Sequence, residues 1–134
     1  MFESTINFVE YFISGNPLTP QKILRLLSHS DRSEIRARVA ENPSTPVSVL
    51  KELILDQDKD VRFGMTFNKA LPVKLAADLS RDQAPEVRFS LAENSKLNTL
   101  LLLELAQDPN PYVAYRSQKT LALVESSWSK SANA

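Results

Sequence analysis

The stretch Asn42-Pro43-Ser44-Thr45-Pro46 decides the fold, because counting 26 residues in either direction from its asparagine finds an asparagine again. Asn16 lies one such step earlier, and Asn68 and Asn94 lie one and two steps later. The same spacing relates apolar and acidic positions: Ile35, Val61, Val87 and Val113; Leu27, Leu53, Leu79 and Leu105; and Asp56, Asp82 and Asp108. A constant period is typical of a stacked solenoid, whose units present the same apolar face to their neighbours.

Each 26-residue unit predicts two short helices. Pro46 suits the first position of a helix, Thr45 stands where its N-cap belongs, and Asn42 is predicted to end the preceding helix in a left-handed turn. The second helix is predicted to begin near an acidic residue that caps it and complements its dipole, namely Asp31, one of Asp56 to Asp58, Asp82 or Asp108. Helically spaced apolar residues predict the buried sides: Ile23, Leu24, Leu27, Val49, Leu50, Leu53, Leu75, Ala76, Leu79, Leu101, Leu102 and Leu105 for the first helices, and Ile35, Val39, Val61, Met65, Val87 and Leu91 for the second.

The predicted fold is therefore an all-α solenoid of two-helix repeats with a period of 26 residues, forming a single domain over 1–134. Its repeats are 16–41, 42–67, 68–93 and 94–119. Residues 1–15 predict a helix whose apolar stripe covers the first repeat as a cap, with a partner-binding helix as the alternative; the stripe comprises Phe2, Ile6, Val9, Phe12 and Ile13. Residues 120–134 predict an extension of the closing helix and then a polar tail from Ser126, disordered at its end.

The composition excludes several classes of function. Sixteen basic and sixteen acidic residues cancel, which disfavours a general binder of nucleic acid or anionic membranes. The chain has no cysteine, so it has no disulfide, thiolate zinc site or cysteine nucleophile. No stretch is apolar enough to span a membrane, and the amino terminus lacks the features of a signal peptide. We expect a cytoplasmic protein.

The repeated residues carry a resemblance to a known family. The string Asp-x-x-x-x-Val-Arg-x-x-(Leu/Met)-(Ala/Thr)-x-Asn, followed by x-x-(Ser/Thr)-Pro-x-x-x-Leu-x-x-Leu, resembles the leucine-rich repeat variant family, whose architecture is similar to that of HEAT-like repeats; residues 31–55 and 82–108 show it best. The resemblance implies a right-handed superhelix that pairs an α-helix with a shorter second helix, which is either α or 3₁₀. Some members carry an iron–sulfur domain, which this chain cannot hold without cysteine.

Two columns of charge follow the repeat and predict a structural ladder. The basic column is Arg36, Arg62 and Arg88, and the acidic column two positions earlier is Glu34, Asp60 and Glu86. Residues two apart on one helix do not face each other, so the ion pairs are expected between adjacent repeats. The fourth unit loses both charges together, as Tyr112 and Ala114, which is what a structural pair predicts. The alternative is a phosphate-binding arginine track.

An aromatic column follows the arginines by one position. It comprises Phe63, Phe89 and Tyr115, with Phe67 beside Phe63 and with Arg38 and Arg116 nearby. The column lies about 200° around the helix from the core valine, so it is predicted to point away from the apolar seam. Exposed aromatic residues beside arginine favour recognition of a protein. The alternative is a second core layer of stacked rings.

The sequence predicts no catalysis, no cofactor and no metal site. His29 is the only histidine, and its position at the end of a helix is ordinary for a polar residue. Gly15 and Gly64 are the only glycines, so a glycine-rich phosphate loop is excluded. The predicted function is a non-catalytic module or scaffold that binds a protein or peptide through one face of the solenoid. The alternative is a nucleic-acid-binding repeat protein that uses the arginine track.

Overall fold

A computed structural model describes residues 2–133, which form nine α-helices and no strand. The helices are α1 (Phe2–Gly15), α2 (Gln21–Leu27), α3 (Ser33–Glu41), α4 (Val47–Leu53), α5 (Lys59–Met65), α6 (Val73–Leu79), α7 (Pro85–Ala92), α8 (Thr99–Leu105) and α9 (Pro111–Ala132). The all-α prediction is confirmed, and the open choice between α and 3₁₀ is decided in favour of α. Met1 and Ala134, the ends of the predicted domain, lie outside the described residues, as does the side chain of Phe2.

The chain divides into two compact units, Met1–Leu75 and Ala76–Ala134. In the first unit, α3 packs against α1 on one side and α5 on the other. In the second, the long α9 packs against α7 and α8. Across residues 2–133, no helix combines the length and apolar character that a membrane crossing requires.

Helix spacing alone explains the core of both units. In the first, the buried side chains include Leu24, Ile35, Val39, Val49, Leu50, Leu53, Val61 and Met65; in the second they include Leu79, Val87, Leu91, Leu101, Leu102, Leu105 and Val113. The predicted buried sides are therefore confirmed at these positions. Ile23, predicted on the buried side of α2, is instead 36% exposed. Helices of seven to nine residues are too short to persist alone in water. Each buried Leu or Val contributes roughly 1.5–3 kcal/mol, so packing between helices stabilises them.

The corner at Asn42 is built differently from the predicted left-handed turn. Asn42 has φ −74°, and within the described part of the chain no residue has a positive φ. Its buried side-chain amide instead donates to the carbonyls of Ser14 and Asn16, at 2.9 and 2.8 Å. Asn68 likewise donates to the carbonyls of Ala40 and Asn42, at 2.9 and 3.0 Å. The asparagine thus joins consecutive corners, because a primary amide carries two donors.

Thr45 does not cap α4, so the predicted N-cap is wrong. Pro46 is extended, at φ −57° and ψ 143°, and is itself the cap residue of α4, without a side-chain capping bond. Thr45 lies one residue too early to reach the first turn. Its hydroxyl donates back to the carbonyl of Val39 at 2.6 Å, near the end of α3. The threonine therefore satisfies the helix that ends rather than the helix that begins.

The predicted acidic caps are confirmed only before α5, where Asp58 is the cap. Asp58 caps α5 and Asn110 caps α9, each accepting from the backbone N–H two residues later, while Arg32 and Ala84 precede α3 and α7 without a side-chain capping bond. Asp56 and Asp108 lie two residues before the real caps and accept from the N–H of Asp58 and Asn110. These aspartates shape the loop before the helix, which leaves their second oxygen available for another donor.

Both ends of the chain differ from the predictions. In α1 the expected covering stripe is mostly outside, since Ile6, Val9 and Phe12 are exposed, whereas Ser14 is fully buried. The stripe therefore does not cover the neighbouring helices, because the corner bonds to Asn42 fix the rotation of α1. At the other end, α9 continues to Ala132, so the predicted polar tail is helical over 126–132.

Candidate functional site

An aromatic pair lies on the surface of the first unit. The ring centroids of Phe63 and Phe67 are 5.2 Å apart and their planes meet at 72°, which is the edge-to-face arrangement that aromatic pairs prefer. Val61 and Met65 occupy the inward side of α5, so Phe63 points outward. Phe63 is 36% exposed and Phe67 is 54% exposed. Neither ring is wholly buried, and each leaves an edge or face for a partner.

Arg38 lies over the carboxyl end of α1. Its guanidinium carbon is 4.8 Å above the centre of the Tyr11 ring, and Nη1 is 3.4 Å from the carboxylate of Glu41. A Cβ added to Gly15 would lie 2.1 Å from Nη2, so the guanidinium rests directly on the glycine backbone. Nε of Arg38 is buried without a hydrogen-bond partner. Stacking therefore holds the group in place while a donor stays unused.

A hollow of about 220 Å³ brings Arg38 and Phe67 together. The remaining lining residues are Gly15, Pro17, Glu41, Asn42, Pro43 and Lys69. This volume is below the 300–1,000 Å³ that is usual for small-molecule pockets. It suits one or two inserted side chains of a peptide or protein. Sequence reasoning missed Tyr11, Gly15 and Lys69 as neighbours of Arg38, because no spacing along the chain connects α1 with α3.

The second unit carries the other predicted contact residues. Tyr115 is 59% exposed, and Nζ of Lys119 lies 5.3 Å from the centre of its ring. Phe89 and Arg116 are half-buried, and Nε of Arg116 is buried without a hydrogen-bond partner. Tyr115 and Lys119 thus form a cation–π contact, as Tyr11 and Arg38 do in the first unit.

Arg36 and Arg88 are held in ion pairs, but not with the predicted partners. Arg36 donates through Nε and Nη2 to both carboxylate oxygens of Asp56, at 2.8 and 3.1 Å. Arg88 holds Asp108 with the same atoms at the same distances. The expected partners Glu34, Asp60 and Glu86 are exposed. The partners differ from the prediction because Asp56 and Asp108, in the loops before α5 and α9, lie within reach of the arginines. We call each bidentate arginine–aspartate pair a fork.

The third guanidinium nitrogen of Arg36 and of Arg88 is engaged as well. Nη1 of Arg36 donates to the carbonyl of Ser30 at 2.8 Å, and Nη1 of Arg88 donates to the carbonyl of Asp82 at 2.5 Å. Arg62, the middle member of the column, is only 5% exposed and donates to the carbonyl of Asp56 at 2.6 Å. The donors of the arginine column are therefore directed into loops and not toward solvent.

The ion pairs shift the pKa of both the arginine and the aspartate. A hydrogen bond to Asp56 raises the pKa of Arg36, and a hydrogen bond to Asp108 raises the pKa of Arg88, in both cases against a smaller opposing effect of burial. Burial by itself raises the pKa of Asp56, but the hydrogen bonds from Arg36 and from the N–H of Asp58 outweigh it, so the pKa lies below its ordinary value. Asp108 shows the same net lowering of its pKa, for the same reasons. Each carboxylate is therefore stabilised in its charged form.

His29 is exposed near the end of α2. Its Nδ1 lies 3.0 Å from the carbonyl of Arg25, and its Nε2 lies 3.8 Å from the carboxylate of Glu52. A search of residues 2–133 for three or more metal-ligating side chains in one place finds no such group. The contacts of His29 are those of a polar residue at a helix end.

Comparisons with known proteins give no name for this arrangement. No family model, no curated protein and no solved structure matches the chain.

Proposed function

We propose that the chain is a non-catalytic interaction module that binds a protein or peptide through the surface formed by Arg38, Phe63 and Phe67. The hollow of about 220 Å³ beside the exposed aromatic pair carries this proposal. One side chain of a partner enters the hollow, where Arg38 and Lys69 provide positive charge and Glu41 provides negative charge. The exposed parts of the Phe63 and Phe67 rings pack against the residues on either side.

Aromatic and arginine side chains are the usual anchors of protein interfaces. Arg38 is already stacked on Tyr11, so little side-chain entropy is lost when a partner binds. In the second unit, Phe89, Tyr115 and Arg116 form a further candidate contact set on the same proposal.

We also propose that the helices belong to a right-handed superhelical solenoid similar to the leucine-rich repeat variant and HEAT-like families. Two series of helix starts support a period of 26 residues: Gln21, Val47, Val73 and Thr99, and then Ser33, Lys59, Pro85 and Pro111. The Asn42 and Asn68 amides, which each bond to a carbonyl 26 residues earlier, support it as well. Repeats of this kind provide extended binding surfaces. A cytoplasmic location is part of the proposal and is favoured by the lack of cysteine.

The arginine column, which is the site of the nucleic-acid alternative, is not available to bind phosphates. Binding to phosphates needs guanidinium groups that can exchange their counterions. Arg36 and Arg88 are bidentate to aspartate, and Arg62 is buried. Equal numbers of acidic and basic residues give no long-range attraction for a polyanion. We therefore favour a protein or peptide partner over a nucleic acid.

A displayed library of random peptides tests the proposal. We expect the purified chain to select peptides whose affinity falls at least about tenfold, or about 1.4 kcal/mol, in Phe63→Ala/Phe67→Ala. Leu55→Ala is the matched control, because Leu55 is an exposed apolar residue outside the surface. Selection of no peptide, or equal binding by the double variant, would reject the site. Salt-dependent binding of a DNA or RNA duplex would favour the nucleic-acid alternative instead.

A further inference from the structure

Helix α1 presents its apolar side outward and its polar side inward. At about 100° per residue, the residues Ile6, Phe8, Val9 and Phe12 fall within an arc of roughly 160°; we name this set the α1 face. All four are exposed by between 50% and 69%. On the opposite side, Ser14 is fully buried, and Oδ1 of Asn7 is buried without a hydrogen-bond partner. This is the reverse of the usual amphipathic arrangement.

The rotation of α1 is fixed by contacts at its carboxyl end. The amide of Asn42 donates to the carbonyls of Ser14 and Asn16, and the guanidinium of Arg38 lies on the Tyr11 ring. Turning the α1 face inward would break these contacts. Burial of the face therefore requires a surface that comes to it from outside.

A second apolar area adjoins the α1 face. A hollow of about 590 Å³ lies between α1 and α2, and Ile13 of α1 lines it together with Ile23 and Leu26 of α2. Ile13 stands one helical repeat of seven residues after Ile6, on the same side of α1. Leu26 is 70% exposed and Ile23 is 36% exposed. The α1 face and the apolar residues of the hollow therefore form one surface. The rest of the hollow is lined by polar residues, namely Glu10, His29, Ser30, Asp31 and Arg32.

We propose that this surface pairs with the same surface of a second copy of the chain, across a two-fold axis near Val9. At about 200 Å² per large side chain, the exposed fractions of the α1 face, Ile23 and Leu26 give roughly 690 Å² per copy. Full burial in two copies would cover about 1,400 Å², within the range of roughly 1,200–2,000 Å² for specific interfaces. A single exposed patch of this size also exceeds what monomers usually carry.

The charges around the surface suit pairing with itself. The α1 face contains no charged residue, so the two-fold axis brings no like charges together. The walls of the hollow carry both signs, with Glu10 and Asp31 beside Arg32, whose Nη1 is buried without a hydrogen-bond partner. This mixture of signs lets opposite charges of the two copies face each other. An anionic membrane fits less well, because the only charged residues of α1 are Glu3 and Glu10.

Sedimentation velocity of the full chain between about 1 and 300 μM tests the pairing. We expect a reversible dimer, and at least about a 100-fold weaker dissociation constant in Phe8→Asp/Phe12→Asp, since two central apolar anchors are lost. Leu55→Asp/Tyr112→Asp is the control, because both residues are more exposed than the α1 face but lie outside it. A monomer over the whole range, or a dimer that survives the α1 change, would overturn the proposal. Cosedimentation of wild-type monomers with phosphatidylcholine vesicles would also overturn the proposal, and it would show that the α1 face binds lipid.

A thiol placed at Val9 tests the geometry of the pair. The chain has no cysteine, so Val9→Cys introduces the only thiol. The two thiols of a two-fold pair lie opposite each other, and mild oxidation is expected to give a covalent dimer, with two thiols losing two protons and two electrons to the added oxidant. Leu55→Cys is the matched control and should stay mostly monomeric. Equal yields from the two variants would contradict the two-fold axis at Val9.

Discussion

Both units supply a side-chain donor to a buried alanine carbonyl, but the first uses Asn68 and the second uses Thr120. In the first unit, Asn68 donates to the carbonyls of Ala40 and Asn42. In the second, the Thr120 hydroxyl donates to the carbonyl of Ala92 at 2.6 Å. Both reach back 28 residues to an alanine carbonyl. Each unit therefore has a side-chain donor to such a carbonyl, although the donor is an amide in one and a hydroxyl in the other.

The amide of Asn68 follows the end of a helix, whereas the hydroxyl of Thr120 lies within one. Asn68 follows the end of α5, where two carbonyls of neighbouring corners need donors, and an amide has two. Thr120 lies within α9, which continues to Ala132, and its hydroxyl also lies 3.1 Å from the carbonyl of Arg116 in its own helix. A hydroxyl has one hydrogen and suits a single orphan carbonyl. By contrast, the aspartate forks of Arg36 and Arg88 are identical in the two units.

The largest effect is expected from Asn68→Ala. The substitution removes two donors from buried carbonyls, and each unsatisfied group costs roughly 1–3 kcal/mol. We expect the free energy of unfolding to fall by about 2–4 kcal/mol, measured by urea denaturation followed by circular dichroism. Lys96→Ala, at an exposed turn position, is the control and should change little. A loss below about 1 kcal/mol would mean that water replaces the amide.

The next largest effect on stability is expected from replacing the arginine of either fork by lysine. Arg36→Lys and Arg88→Lys keep the charge but lose the bidentate bond, and each is expected to destabilise the protein by about 1.5–2.5 kcal/mol. The two losses should agree, because the distances to Asp56 and Asp108 agree. A difference of more than about 1 kcal/mol between the variants, measured by thermal unfolding, would show that the units do not use the fork equally.

Acid should weaken both forks. The pKa values of Asp56 and Asp108 lie below their ordinary value in the folded protein, so their contribution to stability is complete above the unfolded pKa of about 4. That contribution is lost as the pH falls through the folded pKa. Melting temperatures measured from about pH 6 to pH 2 should therefore decline, with a smaller decline in Asp56→Asn/Asp108→Asn. A double variant with an unchanged pH dependence would exclude the forks as its source.

The smallest effect is expected from Thr120→Val. The substitution keeps the volume of the buried side chain and removes one hydroxyl, which leaves the Ala92 carbonyl without this donor. We expect a loss of about 1 kcal/mol, well below that of Asn68→Ala, because one donor is lost instead of two. Chemical denaturation of the two variants side by side measures the difference. Equal losses would contradict the distinction between amide and hydroxyl.

The sequence alone determined the helices and most of the core. Residues such as Val61 and Met65, or Val87 and Leu91, lie four apart, and helix geometry places such pairs on one side whatever the rest of the chain does. The same argument turned Phe63 outward. These predictions depend only on the regular rotation per residue, which is a local property. The proposed repeat depends on the same regularity, extended along the chain.

Only the tertiary structure decided which polar groups meet. The Asn42 amide, the Thr45 hydroxyl and the Asp56 carboxylate all bond to atoms of other segments, and sequence reasoning assigned each of them to a nearby turn or cap instead. The rotation of α1, and with it the exposed face at Phe8, also follows from the bonds of Asn42 to a distant segment. Side-chain donors bind whichever acceptor the packed chain leaves without water, and that acceptor exists only once the helices have packed.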